Sequence, residues 1–149
     1  MRVYADSSFI VSTYTGDSLT SVALREVRNL QTGGHSIFLT DLALLETANA
    51  FQLCVFRGYF SASKASELIG FFESDIDVGL FRVVPPQPLM WKIAGQLSDT
   101  HAARLGCRSL DILHAANALL LKADLFLTFD QRQRTLAIAA GLNAPDLLA

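Results

Sequence analysis

Acidic residues stand where predicted elements begin or end, at four widely separated positions: Asp6, Glu46, Asp111 and Asp130. Asp6 and Asp130 each follow a short apolar run typical of a buried strand, whereas Glu46 and Asp111 lie early in helical patterns. Carboxylates brought within 4 Å repel one another by about 4 kcal/mol per pair at an effective dielectric near 20. A divalent cation relieves this repulsion, and all-oxygen ligation suits Mg²⁺ or Mn²⁺. We therefore expect a metal site if the fold gathers these side chains.

Glu46 is the acid that is hardest to explain as a purely structural residue. Its neighbours from Leu42 to Phe51 are mostly apolar, so we expect a helix that is buried almost all round. An ionised, unpaired carboxylate in such a helix costs several kcal/mol. No basic residue is in helical register with it before Arg57, so Glu46 needs a partner.

The other acids have simpler explanations that stay open. Asp6 and Asp130 suit helix N-caps, and Asp111 complements the positive end of its helix dipole. His114, one helical turn after Asp111, is expected to serve packing and local hydrogen bonds rather than to act as a general base. Each acid taken singly therefore allows a structural interpretation.

The elements that must position these acids alternate along the chain. The sequence predicts strands over residues 2–5, 36–40, 80–84 and 125–129. Helices are expected over about 20–32, 42–57, 64–74, 89–105, 110–123 and 130–140, with Asp41 as the N-cap of the second helix. This order predicts an α/β fold with a mainly parallel sheet covered by helices on both faces. Ligands of such sheets bind beyond the carboxyl ends of the strands, where Asp6 and Asp130 are expected.

Composition limits the class of protein. The chain has 149 residues, 51% of them hydrophobic, and a formal charge of −2, so we expect one domain over 1–149 without a broad basic surface. Two cysteines without zinc-site spacing indicate a reduced, cytoplasmic protein. The apolar runs are too short for a membrane span, and Asp6 interrupts any signal peptide. A mean hydropathy of +0.34 favours a covered partner surface or a large core.

The segments around the four acids resemble the acidic motifs of PIN-domain ribonucleases, and among these the VapC-type toxins of toxin–antitoxin pairs. The resemblance covers essentially the whole chain, and the motifs occur in the family's order. The segments that carry it are Tyr4–Ser8, Leu44–Ala50, Ser109–Ala116 and Leu127–Asp130.

The resemblance implies a PIN-like three-layer α/β/α sandwich and a divalent-metal-dependent endoribonuclease that hydrolyses phosphodiester bonds of RNA. Transfer RNA and ribosomal RNA are the usual targets of this family. The metal ligands and catalytic residues would be Asp6, Glu46, Asp111 and Asp130, holding Mg²⁺ or Mn²⁺. The implied partners are a VapB-like antitoxin and a second copy of the chain in a homodimer.

Further residues near the acids have weaker assignments. Ser7 and Thr128 flank acids, and Asn49 lies one turn after Glu46, so all three are candidates for hydrogen bonds to the ligands. Candidate contacts to RNA phosphates are Arg108, Arg132 and Arg134.

Aromatic residues crowd two successive predicted helices, and either a core or a groove for an antitoxin helix explains them. These residues are Phe51, Phe56, Tyr59, Phe60, Phe71 and Phe72.

Other functions remain open. They are a housekeeping PIN nuclease in RNA processing and a non-catalytic α/β interaction module whose acids only cap helices. A phosphoaspartyl protein is disfavoured, because Ser8 stands where a phosphatase of that kind needs an acid and Lys122 comes too early for a receiver domain.

Overall fold

The computed structural model describes residues 1–149 and contains a four-stranded sheet in the order β3-β2-β1-β4. All its strand pairs are parallel. The mainly parallel sheet expected from the sequence is therefore confirmed. The strands are β1 (Val3–Ala5), β2 (Ile37–Thr40), β3 (Phe81–Val84) and β4 (Leu125–Leu127).

The helices follow the predicted order, with one helix that the sequence pattern did not predict. This helix, α1, begins directly after Asp6, which caps it. The expected helix over 89–105 is interrupted by a π-helical turn at Ser98–Ala102. No helix is long and apolar enough to cross a membrane. The helices are α1 (Ser7–Tyr14), α2 (Thr20–Thr32), α3 (Asp41–Phe56), α4 (Ala62–Asp77), α5 (Leu89–Leu97), α6 (Ala103–Leu105), α7 (Ser109–Leu121) and α8 (Gln131–Ala139).

Alternation along β1 divides the core into two layers. Val3 and Ala5 face one side of the sheet, where they pack with residues of α1 and α2. Tyr4 faces the other side and packs with residues of α5, α7 and α8. Because successive side chains of a strand point to opposite faces, the short β1 supplies both cores. The result is an α/β/α sandwich.

The expectation that α3 is buried almost all round is wrong. Its buried residues are Ala43, Thr47 and Phe51, which recur every four positions and form a single narrow stripe. Leu45 is 69% exposed and Phe56 is 87% exposed. The fully buried residues lie along that stripe, Leu44 and Val55 are partly buried beside it, and the opposite face of the helix is exposed. Thr40, rather than Asp41, is its N-cap residue.

The strand order reverses at β1. From β1 the chain passes to β2 and β3 on one side, and it returns to the opposite side of β1 for β4. In open α/β sheets this reversal creates a crevice beyond the carboxyl ends of the two strands. Asp6 directly follows β1 and Thr128 directly follows β4, so both residues lie at that crevice.

Candidate active site

Asp6 is buried at the crevice and is held by neutral donors. Its Oδ1 accepts hydrogen bonds from the Ser8 hydroxyl at 2.6 Å and from the Phe9 amide at 3.1 Å. Its Oδ2 accepts from the Thr128 hydroxyl at 2.5 Å. Burial raises the pKa of Asp6, although His114 and these hydrogen bonds act in the opposite direction. The site therefore holds a carboxyl group whose negative charge is not fully compensated.

Glu46 has the partner that the sequence required, and that partner is His114 of α7. The Nε2 atom of His114 lies 2.5 Å from Glu46 Oε1, and its Nδ1 atom lies 2.8 Å from the Tyr4 hydroxyl. An ionised carboxylate only accepts hydrogen bonds, so Nε2 must carry the proton that is donated to Glu46. Burial keeps the pKa of Tyr4 well above its ordinary value, so this hydroxyl stays protonated. A hydrogen-bonded chain thus links β1, α7 and α3.

Asp111 and Asp130 share an arginine. Arg108 Nε and Nη2 lie 3.2 and 3.3 Å from the carboxylate oxygens of Asp111, and its backbone amide donates to Asp111 at 2.9 Å. Arg108 Nη2 also lies 3.4 Å from Asp130 Oδ2. The hydrogen bond with Asp111 is the main reason why the pKa of Arg108 is raised. One guanidinium group therefore bridges two of the four acids.

Asp130 also caps α8. Its Oδ1 accepts from the backbone amides of Arg132 at 2.8 Å and Gln133 at 3.1 Å. Asp6 caps α1 in the same way, and Asp111 lies in the first turn of α7. The prediction that these acids cap or begin helices is thus confirmed. Capping does not exclude a shared site.

Shared hydrogen-bond and ion-pair partners link three of the four acids at the crevice. The Thr128 hydroxyl that donates to Asp6 also accepts a hydrogen bond from the Asp130 amide at 3.0 Å. The negative charge of Glu46 contributes to the raised pKa of Arg108, as do Asp111 and Asp130. Asp6, Asp111 and Asp130 are therefore linked through Thr128 and Arg108, whereas Glu46 is linked to β1 through His114 and Tyr4.

A divalent cation fits the donor chemistry of this crevice, although the side chains do not form a ready ligand cluster. No three Asp, Glu, His or Cys side chains converge on one point. Arg108 and His114 hold three of the acids in ion pairs or hydrogen bonds. The available donors are carboxylate oxygens, which suit Mg²⁺ or Mn²⁺. The uncompensated charge of buried Asp6 is a second feature that a cation would relieve.

Of the three residues expected to form hydrogen bonds to the ligands, only Thr128 contacts one of the acids through its side chain. Thr128 contacts Asp6 directly, as described above. Ser8, rather than Ser7, is the serine whose hydroxyl reaches Asp6. Asn49 lies exposed on α3. The sequence signal for Ser8 is its position two residues after an N-cap aspartate, where hydroxyls commonly turn back to the cap.

The three candidate RNA-contacting arginines differ in whether their guanidinium groups already have partners. Arg108 is occupied by the acids, and Arg132 lies exposed in the first turn of α8. Arg134 Nε donates to the carbonyl oxygen of Ala144 at 3.1 Å, so part of its guanidinium already has a partner. Arg132 is therefore the one whose position leaves it most open to a phosphate.

The PIN domain family matches residues 3–139 of the chain. The chain belongs to this family. Solved structures with a similar fold include FitAcB from Neisseria gonorrhoeae, with a TM-score of 0.68, 15% identity and 97% of each chain covered. The fold of this PIN domain is also similar to that of VapC20 of Mycobacterium tuberculosis, described as a toxin that cleaves the sarcin–ricin loop. For that protein the TM-score is 0.65 and the identity 19%, covering 94% of this chain and 95% of the other.

A third similar structure is FitAB bound to a DNA fragment, with a TM-score of 0.70 and 17% identity. It covers 97% of this PIN domain and 94% of the other chain. No curated protein matches the sequence. The structural likenesses establish a shared fold, and the family match establishes the PIN domain.

Proposed function

We propose that this PIN domain is a divalent-metal-dependent endoribonuclease and the toxin component of a VapBC-like toxin–antitoxin pair. The observation that supports the proposal is that Thr128 and Arg108 link Asp6, Asp111 and Asp130, which come from three different segments, while His114 joins Glu46 to Tyr4 of β1. Capping alone requires no such links, since each helix needs only its own cap. The family membership supports the same conclusion.

The proposed metal ligands are Asp6, Glu46, Asp111 and Asp130. A bound Mg²⁺ or Mn²⁺ would supply Lewis-acid stabilisation of charge on the phosphodiester and orient the attacking and leaving oxygens. The protein's own groups prepare the site, because Ser8 and Thr128 fix the carboxylate of Asp6 and His114 fixes that of Glu46. These supporting contacts limit the rotamers that the ligands can adopt.

Arg108 has a separate role in this proposal. Its guanidinium stands between Asp111 and Asp130 as their counter-ion. With a divalent cation held by these acids, the Arg108 guanidinium would be free to bind an RNA phosphate at the rim of the crevice. Arg132, which is exposed on the neighbouring helix, is the second proposed phosphate contact.

The proposed partners follow from the family resemblance and from the exposed apolar surface. We assign the substrate to structured RNA, either transfer or ribosomal, because VapC20 is described as cleaving the sarcin–ricin loop. Exposed Phe56, Tyr59 and Phe71 are the proposed contacts of an antitoxin helix. The protein is proposed to act in the cytoplasm as a homodimer.

A cleavage assay tests the proposed activity. The purified chain is incubated with structured and single-stranded RNA in Mg²⁺, Mn²⁺ or EDTA, together with the Asp6→Asn and Asp111→Asn variants. We expect cleavage with metal, none in EDTA, and loss in both variants, whereas Glu73→Gln on the exposed face of α4 keeps wild-type activity. Cleavage that persists in the two aspartate variants would overturn the mechanism and leave the acids as helix caps.

A further inference from the structure

Tyr4 is a completely buried tyrosine that takes no direct part in the proposed chemistry. It lies on β1 two residues before Asp6, and its side chain has no exposed surface. Its ring stacks on that of Phe126 with the ring centroids 5.3 Å apart. A phenylalanine would provide the same apolar contact, so the hydroxyl group of Tyr4 needs a separate explanation.

Thr40 lies on the same face of the sheet as Tyr4. Tyr4 pairs with Phe38 in the parallel register of β1 and β2, and Thr40 comes two residues after Phe38, so the three side chains point the same way. The Thr40 hydroxyl is buried and has no other hydrogen-bond partner. Burial raises the pKa of Tyr4, whereas a hydrogen bond from Thr40 lowers it, as a donor to the phenol oxygen does. The Thr40 hydroxyl is therefore the donor to Tyr4.

The proton of the Tyr4 hydroxyl is directed at His114. Because its oxygen accepts from Thr40, Tyr4 donates its own proton to Nδ1 of His114, 2.8 Å away. A neutral imidazole has one donor nitrogen and one acceptor nitrogen. Nδ1 is then the acceptor, and Nε2 is the donor to Glu46 at 2.5 Å. Tyr4 and Glu46 therefore favour the same tautomer of His114 from opposite sides of its ring.

This chain of hydrogen bonds begins and ends on α3. Thr40 is the N-cap residue of α3, and Glu46 lies in the second turn of the same helix. Between these two residues the chain crosses the buried side chains of Tyr4 and His114. The Glu46 side chain is 23% exposed, so apolar packing does not fix the direction of its carboxylate. The hydrogen bond from His114 fixes that direction.

We propose that Tyr4 is a positioning residue for Glu46, because its hydroxyl holds the His114 ring in the tautomer that donates to the Glu46 carboxylate. The inference rests on the proposed function and deepens it, since it extends the support of one proposed ligand into the core. A neutral imidazole orients Glu46 without cancelling its negative charge, which stays available to a cation. Tyr4 acts through His114, the partner of its hydroxyl proton.

A purely structural role of the Tyr4 hydroxyl has a matched comparison in the same chain. The hydroxyl of Tyr14 donates to Asp75 at 2.5 Å, and neither residue is a proposed ligand. Tyr4→Phe and Tyr14→Phe each remove one hydrogen-bonded hydroxyl and keep the aromatic ring. Both variants should lose some stability, because each loses a hydrogen bond. Only the loss at Tyr4 should reach the proposed metal site.

Nitrogen NMR of the histidine rings tests the tautomer directly. The chain has three histidines, so isotope-labelled histidine gives three ring systems, and His114→Ala identifies the signals of His114. Multiple-bond proton–nitrogen spectra are recorded in EDTA at neutral pH. We expect a protonated Nε2 and an unprotonated, hydrogen-bonded Nδ1 for His114. A proton on Nδ1, alone or together with one on Nε2, would overturn the inference.

Tyr4→Phe should disturb both the imidazole and the metal affinity. The ring of His114 is then held at one nitrogen instead of two, so its Nδ1 resonance should move furthest of all the ring nitrogens. Mn²⁺ affinity, measured by calorimetry, should fall by about threefold to tenfold, less than on loss of the imidazole itself. Tyr14→Phe should change neither readout. Unchanged Mn²⁺ affinity in Tyr4→Phe, or an equal loss in Tyr14→Phe, would contradict the positioning role.

Thr40 provides a second pair of variants, in which one restores the hydroxyl that the other removes. Thr40→Val keeps the shape of the side chain but removes the donor to Tyr4, so Mn²⁺ affinity should fall by about twofold to threefold. Thr40→Ser keeps the hydroxyl and should bind Mn²⁺ as the wild type does. Equal losses of affinity in Thr40→Val and Thr40→Ser would remove Thr40 from the chain of hydrogen bonds.

Cleavage measured on the same preparations distinguishes failure of the positioning role from failure of the proposed function. RNA cleavage by a protein whose His114 carries its proton on Nδ1 rejects the positioning role alone. The expected tautomer in a wild-type protein that neither binds Mn²⁺ nor cleaves RNA rejects the nuclease proposal and leaves the orientation of Glu46 as described.

Discussion

The four acids proposed as metal ligands form two pairs that are held in different ways. The inner acids, Asp6 and Glu46, are fixed by hydrogen bonds to hydroxyls and to an imidazole that reach into the core. The outer acids, Asp111 and Asp130, share Arg108, whose side chain is 62% exposed. Backbone amides also hold the outer acids in place, so the two pairs differ in that only the outer acids share an exposed counter-ion.

The proposed site therefore combines two acids held by uncharged groups with two acids that share an exposed counter-ion. Buried hydrogen bonds to neutral partners hold a carboxylate without cancelling its charge. An exposed guanidinium cancels the charge but is easily exchanged for another cation, because exposed ion pairs contribute little stability. Substitutions at the inner acids should consequently have larger effects than substitutions at Arg108.

Replacing an inner acid should have the largest effect. Asp6→Asn removes a proposed ligand and a buried charge, so we expect nuclease activity to fall by on the order of 10³-fold, about 4 kcal/mol in transition-state stabilisation. The metal-free variant should melt at a higher temperature than the wild type at neutral pH, because an uncompensated buried charge has been removed. Thermal unfolding in EDTA measures this. A lower melting temperature would show that the charge of Asp6 stabilises the fold.

The pH dependence of folding stability tests the role of the Asp6 charge independently. The pKa of Asp6 is raised in the folded protein, so this group favours folding most at pH values below its unfolded pKa. That contribution is lost as the pH rises through the folded pKa. At pH values above the folded pKa, the free energy of unfolding of the wild type should therefore fall furthest below that of Asp6→Asn. Denaturant titrations at several pH values, in EDTA, measure the difference.

Loss of the imidazole should have an intermediate effect. His114→Ala leaves Glu46 without its donor, and we expect metal affinity to fall by about 10–100-fold, as for other groups that orient ligands. His114→Gln, which keeps a side-chain N–H donor, should recover part of that affinity. His101→Ala, in the π-helical turn, is the control. Calorimetry with Mn²⁺ measures all three, and equal affinity in His114→Ala and wild type would show that Glu46 needs no positioning.

Removing the counter-ion should have the smallest effect and the opposite sign. Arg108→Ala frees Asp111 and Asp130, so Mn²⁺ should bind the variant about two- to fivefold more tightly than wild type. Arg132→Ala removes a neighbouring charge that contacts neither carboxylate through its side chain and should change Mn²⁺ affinity less. Weaker Mn²⁺ binding in Arg108→Ala would mean that the arginine organises the outer acids rather than competing for them.

The sequence predicted the positions of the acids better than their contacts. Asp6 and Asp130 directly follow strand-like runs, and the sheet gathers them because parallel strands share one carboxyl edge. The partner of Glu46 was not predictable from helical register, since His114 lies 68 residues away on another helix. Such a pairing depends on how α3 and α7 pack, which periodicity does not specify.

The sequence analysis missed helix α1 and overestimated the burial of α3, and both failures have physical causes. Helix α1 has only 8 residues and is buried on much of its surface, so it lacks the apolar period that identifies longer helices. The apolar composition of α3 predicted burial, but a helix that packs along one stripe leaves the rest exposed whatever its composition. The exposed apolar residues of α3 therefore mark a surface that composition alone would assign to the core.

The central claim is that the inner and outer acids together form one divalent-cation site, and Mn²⁺ binding without RNA tests it most directly. Isothermal titration calorimetry would compare the wild type with Asp6→Asn, Glu46→Gln, Asp111→Asn and Asp130→Asn, with Glu73→Gln as the control. The account predicts that each of the four variants loses at least about tenfold in affinity while the control binds as wild type does. Undiminished Mn²⁺ binding in the four variants, or no binding by the wild type, would contradict it.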